Sequence, residues 1–306
     1  MTMPDAVTIY EVGPRDGLQN ESQSISTQRK LELIHNLAKS GLKKIEATAF
    51  VSPRWVPQMA DHADIISSLN HDEGITYPVL VPNMKGLENA ISAGVREIAV
   101  FGAASETFSR KNINAGIEDS WTRFQEIIKT ARAQDIAVRG YVSCIAGCPY
   151  EGDVPSEQVA DIARRLYEMG CYEISLGDTI GVGTPKDISR VLKEVASHIP
   201  VEHLALHCHD TYGTALANIY EGLCHGVSTI DSSVGGLGGC PYAPGAAGNV
   251  ATEDVVYMLN AMGIQTGVGL NNMVYCAQQI SEVLGREIRS KTGQAVLSRT
   301  IPESSL

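Results

Sequence analysis

The sequence has no run of basic residues, and its overall charge is acidic. Lys and Arg together number 24 against 35 Asp and Glu, which gives a formal charge of −11 over 306 residues. Because proteins bind nucleic acids through clusters of Lys and Arg, this composition argues against a nucleic-acid partner. An anionic substrate would have to be met by individually placed basic side chains.

Long apolar segments and paired cysteine motifs are also missing. No stretch approaches the roughly 18 uninterrupted apolar residues of a membrane span, so we expect no membrane partner. Residues 1–6 lack a basic region followed by an apolar segment. The seven cysteines are an odd number without a C-x-x-C pair, which is typical of reduced thiols in the cytosol. These absences together predict a cytoplasmic protein.

The chain does contain a regular alternation of short β-branched runs with longer amphipathic segments, repeated eight times. The predicted strands cover residues 7–12, 44–49, 76–81, 97–101, 137–143, 173–176, 203–209 and 229–233. The predicted helices between them include 27–40, 118–134, 156–169, 185–198 and 213–225. Eight such units, without a G-x-G-x-x-G motif after the first strand, indicate an α/β protein with a closed (β/α)₈ TIM barrel. A doubly wound open sheet is the structural alternative.

The domain organisation follows from this alternation. We predict one catalytic TIM-barrel domain over residues 1–285, which includes an extra C-terminal helix at 271–284. Residues 286–306 are predicted to form a polar C-terminal tail. The sequence shows no interdomain linker.

Polar residues follow several predicted strands at their C-terminal ends, where TIM barrels carry their chemistry. His207 and His209 are two residues apart at the end of a strand, so both imidazoles point to one face. Asp16 follows the first strand and Asn249 the eighth, and these strands are neighbours in a closed barrel. Two nitrogens and two oxygens suit Mg²⁺ or Mn²⁺ better than a structural zinc. The alternative is two rim histidines satisfied by hydrogen bonds.

Three further charged residues are candidates at the same rim. Arg15 can stabilise a developing enolate or bind a carboxylate, or it can form a surface salt bridge. Glu46 lies among apolar residues and is either an ion-pair partner inside the barrel or an active-site carboxylate. Asp178 is either a site residue or the side chain of a simple turn.

A glycine-rich segment, GGLGGCPYAPG, begins at Gly235 and contains Cys240. It lacks the G-K-[ST] ending of a phosphate-binding loop. It could be a surface turn, or a mobile loop that delivers Cys240 to a bound substrate. A thiol is a useful acid or base because its ordinary pKa is near 8.5 and falls beside cations.

Five segments together resemble the hydroxymethylglutaryl-CoA lyase family of metal-dependent barrel lyases. They are EVGPRDGLQNE (11–21), IEATAFVSPRWVPQMADH (45–62), SLGDTIGVGT (175–184), HCHD (207–210) and GGLGGCPYAPGAAGNVATED (235–254). The segment around Cys240 is highly specific, whereas the Arg-Asp and His-x-His elements also occur in condensing relatives. The resemblance covers approximately residues 7–284.

The resemblance implies a role for each candidate residue. It implies that Mg²⁺ or Mn²⁺ is bound by Asp16, His207, His209 and Asn249. It further implies that Arg15 supports the thioester enolate, that Cys240 is a catalytic thiol, and that Glu46 and Asp178 assist proton movement and hydrogen bonding. Substrate contacts, including those to coenzyme A, are expected from Arg15, Gln19, Lys111 and Arg139.

The implied reaction is cleavage of 3-hydroxy-3-methylglutaryl-CoA, an acyl-CoA, to acetoacetate and acetyl-CoA, as in leucine degradation, by a homodimer. Three alternatives stay open from the sequence. One is a lyase for a longer C3-branched 3-hydroxyglutaryl-CoA, and another is a related Claisen-condensing synthase. The third, a non-catalytic binding barrel, would not need the four metal candidates together.

Overall fold

A ring of parallel β-strands forms the centre of the computed structural model, which describes residues 3–70, 74–239 and 248–300. The strands pair in the order β2-β1-β9-β8-β7-β6-β5-β4-β3. Their bounds are β1 Thr8–Glu11, β2 Lys44–Ile45, β3 Thr48–Ala49, β4 Val79–Leu80, β5 Glu97–Ala103, β6 Ala137–Ser143, β7 Glu173–Asp178, β8 Leu204–Cys208 and β9 Thr229–Ser232.

Strands β2 and β3 are two parts of one barrel strand, separated only by Glu46 and Ala47. The Glu46 N–H donates to the Glu11 carbonyl at 2.8 Å, and the Ala47 N–H donates to the Pro78 carbonyl at 2.9 Å. This segment therefore bonds to both of its neighbours, and the ring closes. The predicted (β/α)₈ barrel is confirmed, and the open sheet is not observed.

The helices surround the ring and bury one apolar face each against the strands. In α7, for example, Ile188, Val191, Leu192 and Val195 are buried, at the spacing of one helical face. The helices are α1 Thr27–Lys39, α2 His62–Ser67, α3 Met84–Ser92, α4 Glu106–Ile113, α5 Ile117–Arg132, α6 Ser156–Met169, α7 Pro185–Ala196, α8 Ala215–Cys224, α9 Thr252–Ala261, α10 Leu270–Val283 and α11 Lys291–Thr300. Of the residues described, none belongs to a helix with the length and apolar character of a membrane span.

The last two helices lie beyond the eighth barrel unit. Helix α10 agrees with the helix predicted at 271–284, but α11 lies within the segment predicted to be a tail. The backbone N–H groups of Lys291 and Thr292, in the first turn of α11, donate to the Asp254 carboxylate at 3.2 and 2.7 Å. Because this contact comes from a residue far away in the sequence, local sequence signals could not reveal it.

Candidate active site

A π-helical turn, Gly13–Gly17, follows β1 and carries two of the predicted site residues. A Cβ atom at Gly13 would lie 2.5 Å from Glu11 Oε1 and 2.9 Å from Val234 Cγ1, so no larger residue fits without a shift. Such single-turn π segments often occur at functional sites. Here the turn directs Arg15 into the rim of the barrel, where it is 6% exposed, with Asp16 beside it.

The structure brings Asp16, His207 and His209 together at this rim. One potential ligand atom from each of the three lies within 4.8 Å of the other two. His207 is in β8, and His209 lies just beyond the end of that strand. This arrangement agrees with the prediction that alternate residues of the strand present both imidazoles to one face.

Asn249 joins the same cluster through an antiparallel bridge with His209. Its side-chain Nδ2 donates to Asp16 Oδ2 at 2.8 Å and to the Leu237 carbonyl at 3.2 Å. Its Oδ1 is buried and accepts no hydrogen bond within the described parts of the chain. A buried acceptor without a donor is costly, and a cation would satisfy it. The four side chains thus offer the mixed oxygen and nitrogen ligands of a divalent ion.

Charges around Asp16 keep its carboxylate ionised. Burial opposes ionisation, but Arg15, His207, His209 and the Asn249 hydrogen bond together outweigh it, and the pKa of Asp16 falls well below its ordinary value. The Arg15 Nη1 donates to Asp16 Oδ1 at 2.7 Å. An ionised carboxylate is the form that binds a metal.

Glu46 lies behind Arg15 rather than at the surface of the cavity. Its Oε2 accepts from Arg15 Nε at 2.7 Å, and its Oε1 accepts from the Tyr141 hydroxyl at 3.3 Å. Burial raises the pKa of Glu46, although Arg15 partly offsets this effect. Glu46 is completely buried and does not line the rim cavity. Its position agrees with the ion-pair alternative and makes it a support for Arg15.

Asp178 ends β7 and holds the loop that follows. Its carboxylate accepts from the Val182 and Gly183 N–H groups at 3.1 and 2.9 Å. Burial raises its pKa to about 6, against the effect of these hydrogen bonds. Its backbone carbonyl accepts from the His209 N–H at 3.3 Å. Asp178 therefore fits the turn alternative, and its backbone fixes the position of His209.

An open cavity lies over these residues at the C-terminal end of the barrel. Gln19, a predicted substrate contact, lines it, and the Gln19 Oε1 is buried without a hydrogen-bond donor among the residues described. The cavity is lined by Arg15, Asp16, Gln19, Asn20, Leu80, Phe101, Phe108, Asn112, Tyr141, Val142, Ser143, Gly177, Thr179, His207, His209 and Gly239.

The two weaker candidates for coenzyme A contacts have different outcomes. Lys111 is exposed on α4, with its Nζ 5.0 Å from the centre of the Tyr150 ring, and its neighbour Asn112 lines the cavity. Arg139 is completely buried in the barrel interior. The prediction that Arg139 contacts coenzyme A is wrong, because its guanidinium is enclosed and ion-paired with Glu173 and Asp231.

Cys240 lies outside the described residues. The described part of the glycine-rich segment ends at Gly239, which lines the cavity and accepts a hydrogen bond from Asn20 Nδ2 at 3.0 Å.

Two residues that sequence reasoning missed are Tyr141, which lines the cavity, and Asp231, which contacts His207. The sequence did contain a signal for Asp231, because it is a carboxylate within an apolar strand, as Glu46 is.

Comparison with known proteins identifies the family. The family model described as HMGL-like matches residues 6–280. The chain belongs to the HMGL-like family. The mitochondrial hydroxymethylglutaryl-CoA lyase of Rattus norvegicus is 58% identical over 294 residues, which cover 96% of this chain and 90% of that protein. The family resemblance given by the sequence motifs is therefore confirmed.

Solved structures of this family have the same fold. The hydroxymethylglutaryl-CoA lyase of Pseudomonas aeruginosa superimposes with a TM-score of 0.95 at 53% identity, covering 98% of this chain and all of that one. An HMG-CoA lyase of Acinetobacter baumannii, in complex with coenzyme A and 3-methylmalate, has a TM-score of 0.90 at 33% identity, with coverage of 99% and 97%.

Proposed function

We propose that the chain cleaves 3-hydroxy-3-methylglutaryl-CoA to acetoacetate and acetyl-CoA, with a divalent ion bound by Asp16, His207, His209 and Asn249. The observation that carries the proposal is the convergence of the three ionisable ligands within 4.8 Å, beside the buried Arg15. It occurs in a chain 58% identical to a hydroxymethylglutaryl-CoA lyase. The chain is accordingly a carbon–carbon lyase.

The residues at the rim fit such an ion. Asn249 Oδ1 is a buried acceptor without a donor in the described ranges, and Asp16 is held ionised by Arg15. Because oxygen and imidazole ligands without thiolate suit Mg²⁺ or Mn²⁺, we propose one of these two ions. When bound, the ion would act as a Lewis acid that polarises substrate oxygens and lowers the pKa of the substrate hydroxyl.

In the cleavage reaction the tertiary hydroxyl of the substrate loses its proton and becomes the ketone of acetoacetate. The bond between the carbon that carries this hydroxyl and the carbon next to the thioester breaks. The electron pair of that bond forms the enolate of acetyl-CoA. Arg15 lines the cavity while Glu46 and Asp16 hold its Nε and Nη1. We assign Arg15 to stabilise the enolate oxygen, because a preorganised guanidinium needs no reorganisation when charge develops.

The enolate carbon must finally take up one proton. We assign this step to the Cys240 thiol, since the segment that contains Cys240 follows Gly239 at the edge of the cavity. A relay through His207 and Glu46 is the alternative. Gln19 is proposed to bind the substrate through its unpaired Oε1, and Lys111 to meet the coenzyme A portion at the cavity entrance. Asp178 is proposed to hold the site's hydrogen bonds rather than to meet the substrate.

A substrate panel tests the proposed function. Purified protein is treated with a chelator, supplied with Mg²⁺ or Mn²⁺, and given glutaryl-CoA thioesters that carry a 3-hydroxyl and C3 substituents of increasing size. We expect acetoacetate and acetyl-CoA in equal amounts from the C3-methyl substrate, only when metal is present. Faster cleavage of a longer C3-branched thioester would replace the proposed substrate, and condensation without cleavage would indicate a synthase.

A homodimer and a cytoplasmic location are further proposals, which rest on the family resemblance and on composition. Light scattering coupled to gel filtration measures the first, and cell fractionation the second. A monomer that retains full activity would contradict the dimer proposal.

A further inference from the structure

A buried ion-pair network lies beneath the metal candidates, in the interior of the barrel. Arg139 in β6 is completely buried, and its guanidinium bonds to two carboxylates. Its Nε donates to Glu173 Oε1 at 2.7 Å. Its Nη1 and Nη2 donate to Asp231 Oδ2 and Oδ1 at 3.0 and 2.7 Å. The second pair is bidentate, so the plane of the Asp231 carboxylate is fixed.

Asp231 connects this network to the rim. It lies in β9, which pairs with both β1 and β8, and its register partner in β8 is His207. The Asp231 Oδ2 accepts from Ser175 Oγ at 2.7 Å and lies 3.3 Å from His207 Nδ1. The side chain of Asp231 is not exposed to solvent. The Asp231 carboxylate therefore contacts His207, a potential metal ligand, from the barrel interior, and it cannot reach the substrate.

Aromatic rings hold the guanidinium in place from its faces. The Arg139 Cζ lies 3.9 Å from the centre of the Tyr10 ring and 5.0 Å from that of Tyr141. The Tyr141 ring also packs edge-on against the His207 imidazole, with centroids 6.0 Å apart. An aromatic and an ionic contact thus both link Arg139 to His207.

We propose that Asp231, anchored by Arg139, is a positioning residue that fixes the tautomer and ring orientation of His207. An ionised carboxylate can only accept, so the proton of the neutral imidazole lies on Nδ1 and the lone pair on Nε2. Nε2 is then the atom offered to the metal. Metal-binding histidines commonly have such a partner, and its loss typically costs 10–100-fold in metal affinity.

Glu173 supplies a matched control for this proposal. Both carboxylates are buried and pair with Arg139, but only Asp231 contacts His207. Substituting either carboxylate by its amide weakens the Arg139 network, whereas only Asp231→Asn alters the partner of His207. Because the inference rests on the proposed metal site, His207→Ala is included as a test of that site itself.

The experiment measures Mn²⁺ binding to chelator-treated protein by electron paramagnetic resonance. We expect Asp231→Asn to weaken Mn²⁺ binding 10–100-fold, and Glu173→Gln to change it less than about threefold. Equal losses in the two variants, or wild-type affinity in a folded Asp231→Asn protein, would overturn the proposal. If His207→Ala binds Mn²⁺ as the wild type does, the metal site itself is wrong.

A second measurement needs no change at Asp231. Nitrogen-15 NMR of histidine-labelled wild-type protein without metal reports which imidazole nitrogen carries the proton, and loss of a signal in His207→Ala assigns it. We expect His207 in the Nδ1–H form. Observation of the Nε2–H tautomer in the wild type would overturn the proposal even if every Asp231 variant failed to fold.

Discussion

Buried carboxyl groups occur in two regions of this barrel, and their surroundings differ. In the barrel interior and at its rim, burial opposes ionisation of Asp231 and Asp16, but arginine, histidine and hydrogen-bonding neighbours together outweigh it. The pKa of Asp231 is lowered to about 2, chiefly by Arg139, and that of Asp16 falls well below its ordinary value, chiefly through Arg15. Both groups stay charged at neutral pH.

The second region lies beneath the turn Val234–Gly236, which precedes Gly239. Glu11 accepts from the N–H groups of Gly13 and Val234 at 2.8 and 2.9 Å, and Glu253 accepts from the Gly235 N–H at 2.9 Å. Burial raises the pKa of each glutamate to about 7, although hydrogen bonds oppose the shift, at Glu11 chiefly the one donated by the Thr252 hydroxyl at 2.6 Å.

The difference separates two uses of a buried acid. At Asp16 and Asp231, arginine and histidine neighbours keep the carboxylate negative, in positions where it can bind a cation or orient an imidazole. Neutral donors, namely backbone N–H groups and the Thr252 hydroxyl, bond to the oxygens of the two glutamates that hold the turn. Substitutions in each region test this division.

The largest effect is expected from Asp16→Ala, which removes a proposed metal ligand from the charged region. The affinity for Mn²⁺ should fall more than about 100-fold, since loss of a ligand should exceed the effect of losing its hydrogen-bond partner. Metal titrations of lyase activity and circular dichroism check binding and folding. Full turnover of this variant in the presence of chelator would contradict the assignment.

Arg15→Gln tests the charge that faces the substrate. If Arg15 acts mainly in the transition state, kcat should fall by roughly 10²–10³ with little change in KM. Steady-state kinetics at saturating Mg²⁺ give both constants. A tenfold rise in KM at unchanged kcat would instead make Arg15 a simple binding group.

Cys240→Ser tests the segment that follows the turn held by the two glutamates. A hydroxyl is a far weaker acid than a thiol, so kcat should fall at least about 100-fold while Mn²⁺ binding is retained. Cys224→Ser, at a half-buried position in α8, is the control. Near-normal turnover of the Cys240 variant would indicate that His207, Glu46 or water donates the proton instead.

Glu11→Gln should have a smaller effect, and this effect should be on the pH dependence of stability. Below about pH 4.5 the Glu11 carboxyl is protonated in both the folded and the unfolded chain. As the pH rises, the unfolded chain loses this proton first, so stability falls between about pH 4.5 and 7. The shift from 4.5 to about 7 corresponds to roughly 3 kcal/mol. Urea unfolding at pH 5 and pH 8 should show a smaller decline in Glu11→Gln than in wild type. Parallel declines would mean that Glu11 is not neutral in the folded state.

Much of the barrel could be predicted because its units repeat locally. The strand 137–143 and the helix 156–169 agree with the observed bounds, since alternation and capping signals lie within each segment. Helix α11 was missed because its first turn is held by Asp254, and β2 and β3 were predicted as one strand because the break at Glu46 depends on the neighbouring strands.

The site was predictable where residue type and strand position sufficed. The joining of Asp16, His207, His209 and Asn249 follows from strand ends that meet at one rim. The depth of a side chain within the barrel does not follow in the same way. Arg139 was therefore expected to face coenzyme A, although its position near the start of β6 places it in the interior.

A crystal grown with Mn²⁺ would show whether one divalent ion binds among Asp16, His207, His209 and Asn249. Anomalous scattering locates the ion independently of the protein coordinates. We expect one peak about 2 Å from an Asp16 oxygen, His207 Nε2, a His209 nitrogen and Asn249 Oδ1. A peak elsewhere in the barrel, or one bound through His207 Nδ1, would contradict it.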